Sequence, residues 1–469
     1  MPDPYDIVFL GGGPAGYQGA IRAAQLGAKV AVVEREFLGG VCLNWGCIPT
    51  KTVRASAEMG RMMSRAKEFG FSPVEAKPDI AAIIARKERV VNSLRGSIAR
   101  LFLARKVVLL EGEGVMLSPH CIEVRLKDGT QKIEAKKIVI ATGSRPTRLA
   151  LFPQSPRIFT PDELLKNPVL PVHMVVVGGG AVGVEMAAIF RELGSQITII
   201  EAQERLLPQE DGDIVSTLQS ILTRRKIKVM CGVAVKTVME IDGAYQVLLS
   251  NGSELVADTI LVAVGRQRNT EKIGLEKLGV EMDHGRIVVN EYLQTSVPDL
   301  FAAGDVIGDW MLAHVAFAEG ICAAENALGQ GLDPGTPMDY RVVPRCVFSL
   351  PEYAAVGLSE EQAAASHPVK VAKFPFKALG MAQAMGELEG MVKIICHAQT
   401  DEILGAHILG AHAAECVAEV SLAMKAGLPS RMVMNTIHTH PTLTEAVQEV
   451  AQALHGQAIH MPPEAQFNE

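Results

Sequence analysis

Short, wholly apolar runs alternate along this chain with segments whose apolar residues return at helical spacing. Ile7–Leu10 is followed by the glycine-rich turn GGGPAG (11–16), by a helix-period segment ending in Leu26–Gly27, and by a second apolar run, Val30–Val33, that stops at Glu34. The same order returns as Met174–Val177, Gly178–Gly183, Leu193–Gly194 and Ile197–Ile200 before Glu201, offset by 167 positions (Gly11 to Gly178). Apolar runs of this length bounded by turn residues predict strands buried on both faces, as in a parallel sheet, with a crossover helix between them. Each copy is therefore a βαβ unit, and the repeat implies two similar domains. Further strands are predicted in KIVIATGSRP (137–146) and TILVAVGRQRN (259–269), which run into Gly143 and Gly265 and close the two units, and in DLFAAGDV (299–306), which leaves Asp305 at a strand end.

The glycines of the two turns, Gly11, Gly13 and Gly16, then Gly178, Gly180 and Gly183, share the spacing G-x-G-x-x-G. In a strand–turn–helix the first permits the tight turn, the second lets backbone approach a pyrophosphate, and the third lets helix pack on strand. The phosphates then rest at the positive helix end. Glu34 and Glu201 each stand 18 residues beyond the last glycine (16 to 34, 183 to 201), where a carboxylate accepts hydrogen bonds from ribose hydroxyls. One such turn alone is as easily a structural loop. Two copies in register point to two dinucleotides on one chain, FAD and a nicotinamide. An acidic Glu201 repels the 2′-phosphate of NADP, so NAD is expected, with the nearby Arg205 read as a surface residue.

Composition narrows the partners. At 469 residues the chain exceeds one hydrophobic core and calls for three or four domains. A net charge of -7 provides no broad basic field, which argues against nucleic acid or an anionic membrane as main partner. No stretch approaches the ~18 uninterrupted apolar residues of a membrane span, and residues 1–6 show no basic region followed by an apolar one, so a cytoplasmic location is expected. Eight cysteines in so long a chain do not suggest a disulfide-stapled framework. Cys121, Cys231, Cys322, Cys346, Cys396 and Cys416 are scattered and read as small buried hydrophobes.

Cys42 and Cys47 are different, separated by four residues in GGVCLNWGCIPTK (39–51). A regular helix would set their Cα atoms ~7.5 Å apart along its axis, beyond the ~7 Å reach of a disulfide. A bridge therefore requires distorted backbone, which Gly46 and Pro49 accommodate at the two ends of the turn. A place near a helix N-terminus lowers a thiol pKa and favours the thiolate that attacks disulfides. The competing reading is a pair of inert structural cysteines.

This loop resembles the redox-active loop of the flavin disulfide reductases, the pyridine nucleotide-disulfide oxidoreductase family, and the chain from residue 3 to about 460 is similar to the dihydrolipoamide dehydrogenases within it. The resemblance implies an enzyme in which Cys42 exchanges with substrate and Cys47 is the thiolate beside the flavin. It implies Lys51 near flavin N5 with Glu185 as its carboxylate partner, against the plainer reading of both as surface residues. It further implies Asp305 on the FAD ribitol and the Met311–Gly320 segment, with Ala313, along the flavin; the Leu-Ala-His pattern at 312–314 is typical of lipoamide-type rather than glutathione-type relatives. Trp45 departs from the small aliphatic residue usual inside this loop, Val315 stands where a lysine is common, Thr444 replaces a usual serine, and Ala181 is small where the family is often bulky.

Near the far end stands IHTHPTLTE (437–445). Thiol–disulfide exchange needs a base beside the interchange sulfur, and histidine takes and returns a proton near neutral pH. Glu445 would orient the imidazole and raise its basicity. The stretch resembles the family's His-x-His-Pro motif, whose second histidine is the base, which implies His440 rather than His438, acting on the cysteines of the opposite subunit of an obligate homodimer. Two other readings compete: Thr442–Glu445 as a helix capping box, and a metal site, for which no third ligand is evident.

The expectation is thus an α/β protein with two Rossmann-like dinucleotide-binding domains (FAD and NAD) plus a C-terminal α+β dimerisation domain. Its divisions are 1–147 for FAD and the redox disulfide, 148–272 for NAD, 273–342 as a central domain completing the FAD site, and 343–469 as the interface domain. The activity implied is oxidation of dihydrolipoamide carried on the lipoyl domains of a multienzyme complex, with NAD as acceptor. A glutathione- or mercuric-reductase-like enzyme is the nearest rival; the mercuric type carries a terminal cysteine pair that HMPPEAQFNE (460–469) lacks. A non-catalytic flavoprotein scaffold would require a broken site, yet Cys42, Cys47, His440 and Glu445 are all present.

Overall fold

Near-continuous Val/Ile/Leu runs cannot face water on either side, and in the computed structural model, which describes residues 3–73, 75, 77–330 and 335–462, they form the centres of two parallel sheets. Residues 463–469, the end of the expected interface domain, lie outside the described part, as do 331–334. In the first sheet the Tyr5–Leu10 strand lies between Val30–Glu34 and the end of Gly129–Ile140, pairing Ile7 with Val30 and Leu10 with Ile140, all parallel. Val108–Ser118 extends one side and Leu300–Ala302 the other. Ile7, Val8 and Phe9 have no exposed surface. Residues 273–327 share this core: Leu300 and Ala302 sit in the sheet, and the Ala313–Ala327 helix packs on the Pro14–Gln25 helix that follows the first glycine turn.

The second sheet repeats the pattern with the order Ile227–Met230, Gln196–Ile200, His173–Val177, Thr259–Val262, Ile158–Phe159. Both sheets carry an antiparallel three-strand excursion, Val108–Ile140 in the first and Val235–Ala257 in the second, so the internal repeat extends beyond the glycine turns. An antiparallel ribbon, Ser144–Pro146 with Arg266–Arg268, ties the two units together.

From residue 345 onward the chain builds a five-stranded antiparallel sheet ordered Arg345–Val347, Glu352–Gly357, Ile403–Gly410, Met391–His397, Val369–Pro375. The helices Ala413–Lys425, Ser430–Asn435 and Glu445–Ala453 share its core. The scattered cysteines divide: Cys322, Cys396 and Cys416 are buried, whereas Cys121 and Cys346, on strands, and Cys231, just beyond the Ile227–Met230 strand, are only half-buried. No helix among the described residues is long and apolar enough to cross a membrane.

Candidate active site

The two glycine turns are built alike. Gly11 and Gly178 have φ of +111° and +109°, where an L side chain is strained and a Cβ would lie 2.3 Å from the carbonyl oxygens of Ala141 and Ala263. A Cβ on Gly16 or Gly183 would sit 1.9 Å from the oxygen of Gly11 or Gly178, so the helix lies against the turn. Gly13 and Gly180 are the N-caps of the Pro14–Gln25 and Ala181–Glu192 helices, neither of which receives a side-chain cap. Beyond Gly180 a Cβ would meet nothing within 4 Å, which leaves the helix end open to a phosphate group. The terminal carboxylates do more than was expected of them. Gly12 N–H donates to Glu34 Oε2 (2.7 Å) and Glu36 N–H to Oε1 (2.8 Å), while Gly179 N–H donates to Glu201 Oε2 (2.6 Å) and Gln203 N–H to Oε1 (2.7 Å). Each acid therefore holds its own turn through both carboxylate oxygens. Arg205 is not free to neutralise a phosphate: Glu361 pairs with it at 3.1 Å, and it also donates to the carbonyls of Pro208 and Glu210.

Gly143 and Gly265, with φ of +70° and +121°, lie at the ends of their strands beside the open edges of the two turns. Asp305 follows the Leu300–Ala302 strand and accepts from the hydroxyl of buried Ser144, which also accepts from Arg266 Nε at 2.7 Å. Ala313 opens the Ala313–Ala327 helix, whose first turn has no side-chain cap, and Val315 is buried in it. Glu319, deeper in that helix, accepts from Gly304 N–H (2.7 Å) and the Tyr340 hydroxyl (2.8 Å) and so braces the turn carrying Asp305; burial pushes its carboxyl up to about 7.

Between the first unit and its long helices the redox segment breaks in two. Cys42 lies in the short helix Gly40–Asn44, Cys47 is the first residue of the 18-residue helix Cys47–Ser64, and the break falls at Trp45–Gly46, where both N–H groups converge on Val41 O (2.9 and 2.7 Å). Pro49 occupies the first turn of the second helix, where its missing N–H costs nothing. Both cysteines are free, and each is the largest influence on the titration of the other. One turn on, Lys51 Nζ bonds Glu185 Oε2 at 2.9 Å and lies 4.3 Å above the centre of the Phe348 ring. Phe348 N–H donates to the other oxygen of Glu185 (2.8 Å). Lys51 and Glu185, 134 residues apart, are thus a partly buried pair rather than independent surface groups.

The family model described as pyridine nucleotide-disulphide oxidoreductase matches residues 5–320, and the one described as its dimerisation domain matches residues 343–451. The chain belongs to the pyridine nucleotide-disulphide oxidoreductase family. Similar curated proteins are the dihydrolipoyl dehydrogenases of Thermus scotoductus (42% identical, 97% of this chain and 99% of that protein), Bacillus subtilis (40%, 98% and 100%) and Chlamydia muridarum (39%, 99% and 99%). Among solved structures, LpdA from Mycobacterium tuberculosis superposes with a TM-score of 0.89 and the HOCl-induced flavoprotein disulfide reductase RclA from Escherichia coli with 0.87, each 29% identical and each covering 96% of this chain and 99% of the other. The cofactors of this oxidoreductase are FAD and NAD, and the two uncapped helix ends with their glycine turns fit them.

Within this family architecture the sulfurs are electrostatically unequal. The hydrogen bond from Cys42, with help from the Lys51 ammonium, outweighs burial and brings Cys47 down to about 7. The same contact, with burial, holds Cys42 far above the ordinary thiol range. In reduced protein the Cys47 thiolate is therefore expected to form as pH rises through about 7 while Cys42 stays a thiol well into the alkaline range. Lys51→Met removes a group that favours the charged form, so the Cys47 step moves to higher pH. Ultraviolet thiolate absorbance against pH, with Cys47→Ser as the blank, checks this; a step unmoved by Lys51→Met contradicts it.

At the other end of the chain, His440 Nδ1 bonds Glu445 Oε1 at 2.8 Å, and the rest of its ring faces outward, with 77% of the side chain exposed. His438 is locked instead: Glu419 takes Nε2 and Thr436 O takes Nδ1, and only 5% of its side chain is exposed. The capping-box reading holds by half. Thr442 N–H does donate to Glu445 Oε2 (2.8 Å), but Thr442 turns its hydroxyl to Thr439 O, and the helix begins at Glu445 with Thr444 as N-cap. Among the described residues no group of three His, Cys, Asp or Glu is placed to hold a metal ion. Within one chain, then, the cysteines, Lys51 and Glu185 come together, while His440 and Glu445 form a separate, outward-facing pair. Phe348, Ser144 and Tyr340, and the bracing contacts of Glu319 within the Met311–Gly320 segment, were not anticipated; Phe348 and Ser144 act on residues more than 160 positions away, and no local pattern marks any of the four.

Proposed function

We propose that this chain is a dihydrolipoyl dehydrogenase that oxidises dihydrolipoyl groups carried on the lipoyl domains of a multienzyme complex, with NAD as acceptor, acting as a homodimer in the cytoplasm. The observation that carries the reading is a pair of free cysteines on either side of a broken helix, the second of them opening the Cys47–Ser64 helix one turn before the Lys51–Glu185 pair. An exposed His440 already bonded to its carboxylate, on the segment matched by the dimerisation domain, supports a site assembled from two subunits. The division proposed is 1–147, 148–272, 273–342 and 343–469.

In the oxidised protein Cys42 and Cys47 are joined. His440 of the partner subunit, oriented by Glu445, takes the proton of one substrate thiol. The resulting thiolate attacks the Cys42 sulfur; the Cys42–Cys47 bond breaks and its electron pair remains on Cys47, where the helix N-terminus and Lys51 stabilise the charge. The second substrate thiol then attacks the substrate sulfur held by Cys42, closing the substrate disulfide and releasing Cys42. Gly11, Gly13, Gly16, Glu34, Gly143, Lys51, Asp305 and Ala313 would hold FAD at the first glycine turn, and FAD bound there would supply the two-electron passage from this dithiol to NAD. Gly178, Gly180, Gly183, Glu201 and Gly265 hold the nicotinamide dinucleotide, and Glu201 disfavours a 2′-phosphate.

Turnover of dihydrolipoamide with NAD is expected to exceed that with NADP, and to exceed glutathione-disulfide reduction with either reduced nucleotide, by on the order of 100-fold in kcat/KM, since unpaired buried polar groups penalise the wrong partner that strongly. Comparable rates with glutathione disulfide and NADPH would assign the chain to a different disulfide.

A further inference from the structure

Trp45 stands in the chain between the two sulfurs, and its ring meets both another ring and a cation. Its ring lies 6.3 Å from the Phe37 ring, tilted by 51°, and the Lys166 ammonium sits 5.5 Å over its centre. Phe37 is itself covered by the Arg95 guanidinium, 3.9 Å from its ring centre. The same Arg95 grips the side-chain oxygen of Asn44, the residue before Trp45, with Nε (3.0 Å) and Nη2 (2.7 Å), and the buried Asn44 amide donates to Leu38 O and Gly40 O. Two cations and two rings thus form a row, Arg95–Phe37–Trp45–Lys166, that fastens the inter-cysteine turn to the long Ile80–Arg105 helix on one side and to the segment after the Pro161–Leu164 helix on the other. Rings paired at this distance and cations over ring faces both attract.

We infer that Trp45 is a positioning residue: its ring holds the Cys42–Gly46 turn against the N-terminus of the Cys47 helix, so that the two sulfurs stay in reach and the disulfide closes more readily than it would around a small side chain. The inference rests on Cys42 and Cys47 being the redox pair. Ring closure depends on the fraction of time the sulfurs spend within bonding distance, and a turn fastened on both sides has less freedom to lose on closing. A small residue at position 45 would keep the Asn44–Arg95 grip and lose the row that continues through Trp45.

The reaction that reads this is a balanced exchange without other reactants: protein disulfide plus dithiothreitol gives protein dithiol plus cyclic oxidised dithiothreitol, two electrons and two protons passing to the protein. The full-length flavoprotein is equilibrated anaerobically over a series of dithiothreitol ratios, quenched in acid and alkylated, and the peptide containing Cys42 and Cys47 is weighed. Trp45→Val is expected to move the midpoint about 3- to 10-fold toward the dithiol, tenfold being ~30 mV for a two-electron couple. Trp45→Phe, which restores a ring, recovers most of that shift. The chain has two tryptophans, so in Trp310→Phe the emission of Trp45 alone should change on reduction with the same midpoint, a readout that needs no change at position 45. A Trp45→Val midpoint within twofold of the wild type, or shifted toward the disulfide, overturns the inference, as does Trp45 emission indifferent to reduction. Should the wild type show no Cys42–Cys47 disulfide at any ratio, the redox-pair reading itself fails, and that outcome is distinct from the others.

Discussion

Changing Cys47 to serine abolishes dihydrolipoamide oxidation, with a loss on the order of 10³-fold or more, because no second sulfur remains to receive the electron pair when Cys42 is attacked. Cys42→Ser has an equal effect on turnover for a different reason, since it removes the sulfur that substrate meets. The two are told apart by mass. In Cys47→Ser, Cys42 attacks the disulfide of added lipoamide, one sulfur–sulfur bond breaks and one forms; Cys47 is absent to displace the adduct, and an acid quench protonates the freed substrate thiol before it can reclose the ring, so the adduct is trapped for weighing. Cys42→Ser forms no such adduct if Cys42 alone meets substrate. Intact-protein mass spectra after incubation with lipoamide check both halves, and an adduct on Cys42→Ser but not on Cys47→Ser would reverse the assignment of roles.

The second large effect falls on the histidine. His440→Ala is expected to lower kcat/KM for dihydrolipoamide by about 10²- to 10⁴-fold, the usual contribution of a positioned general base. Reduction of ferricyanide by NADH, which needs no substrate thiol to be deprotonated, stays within a fewfold of wild type. The deficit shrinks as pH rises toward the substrate thiol's own pKa, because hydroxide then does what the imidazole did. Glu445→Gln lies between, at about tenfold, since the amide still meets His440 Nδ1 but carries no charge to stabilise the imidazolium. His438→Ala should cost far less, because Glu419 and Thr436 already occupy both of its nitrogens. Steady-state profiles of the three variants against pH measure all of this; a His438 effect equal to that of His440 contradicts it.

Much of this molecule was legible in the sequence because its two nucleotide units are local objects. Strand, turn and helix follow one another within thirty residues, and period alone separates them. The broken helix at Gly46 was legible for the same reason, since two sulfurs five positions apart cannot meet across regular helical backbone. What escaped are side chains whose partners come from another layer. Phe348 reaches Glu185 across 163 positions, Ser144 meets Asp305 across 161, and Tyr340 meets a glutamate in the middle of a helix. The role of Glu34 and Glu201 as clamps on their own turns was also hidden, although the matching 22-residue spacing in the two copies (12 to 34, 179 to 201) was in plain view. The capping box at Thr442–Glu445 shows the opposite failure: the spacing matched, but the helix began two residues later, with Thr444 as N-cap, and the Thr442 hydroxyl turned to Thr439 O.

The central claim, that electrons enter at Cys42 and leave through Cys47 beside the flavin, is tested most directly by anaerobic titration of the purified flavoprotein with NADH while its visible spectrum is recorded. At one equivalent the wild type is expected to show a long-wavelength band from the Cys47 thiolate against oxidised flavin, present also in Cys42→Ser without added reductant and absent at every stage from Cys47→Ser. A band that survives in Cys47→Ser, or a wild type that bleaches directly with no such band, would contradict the account.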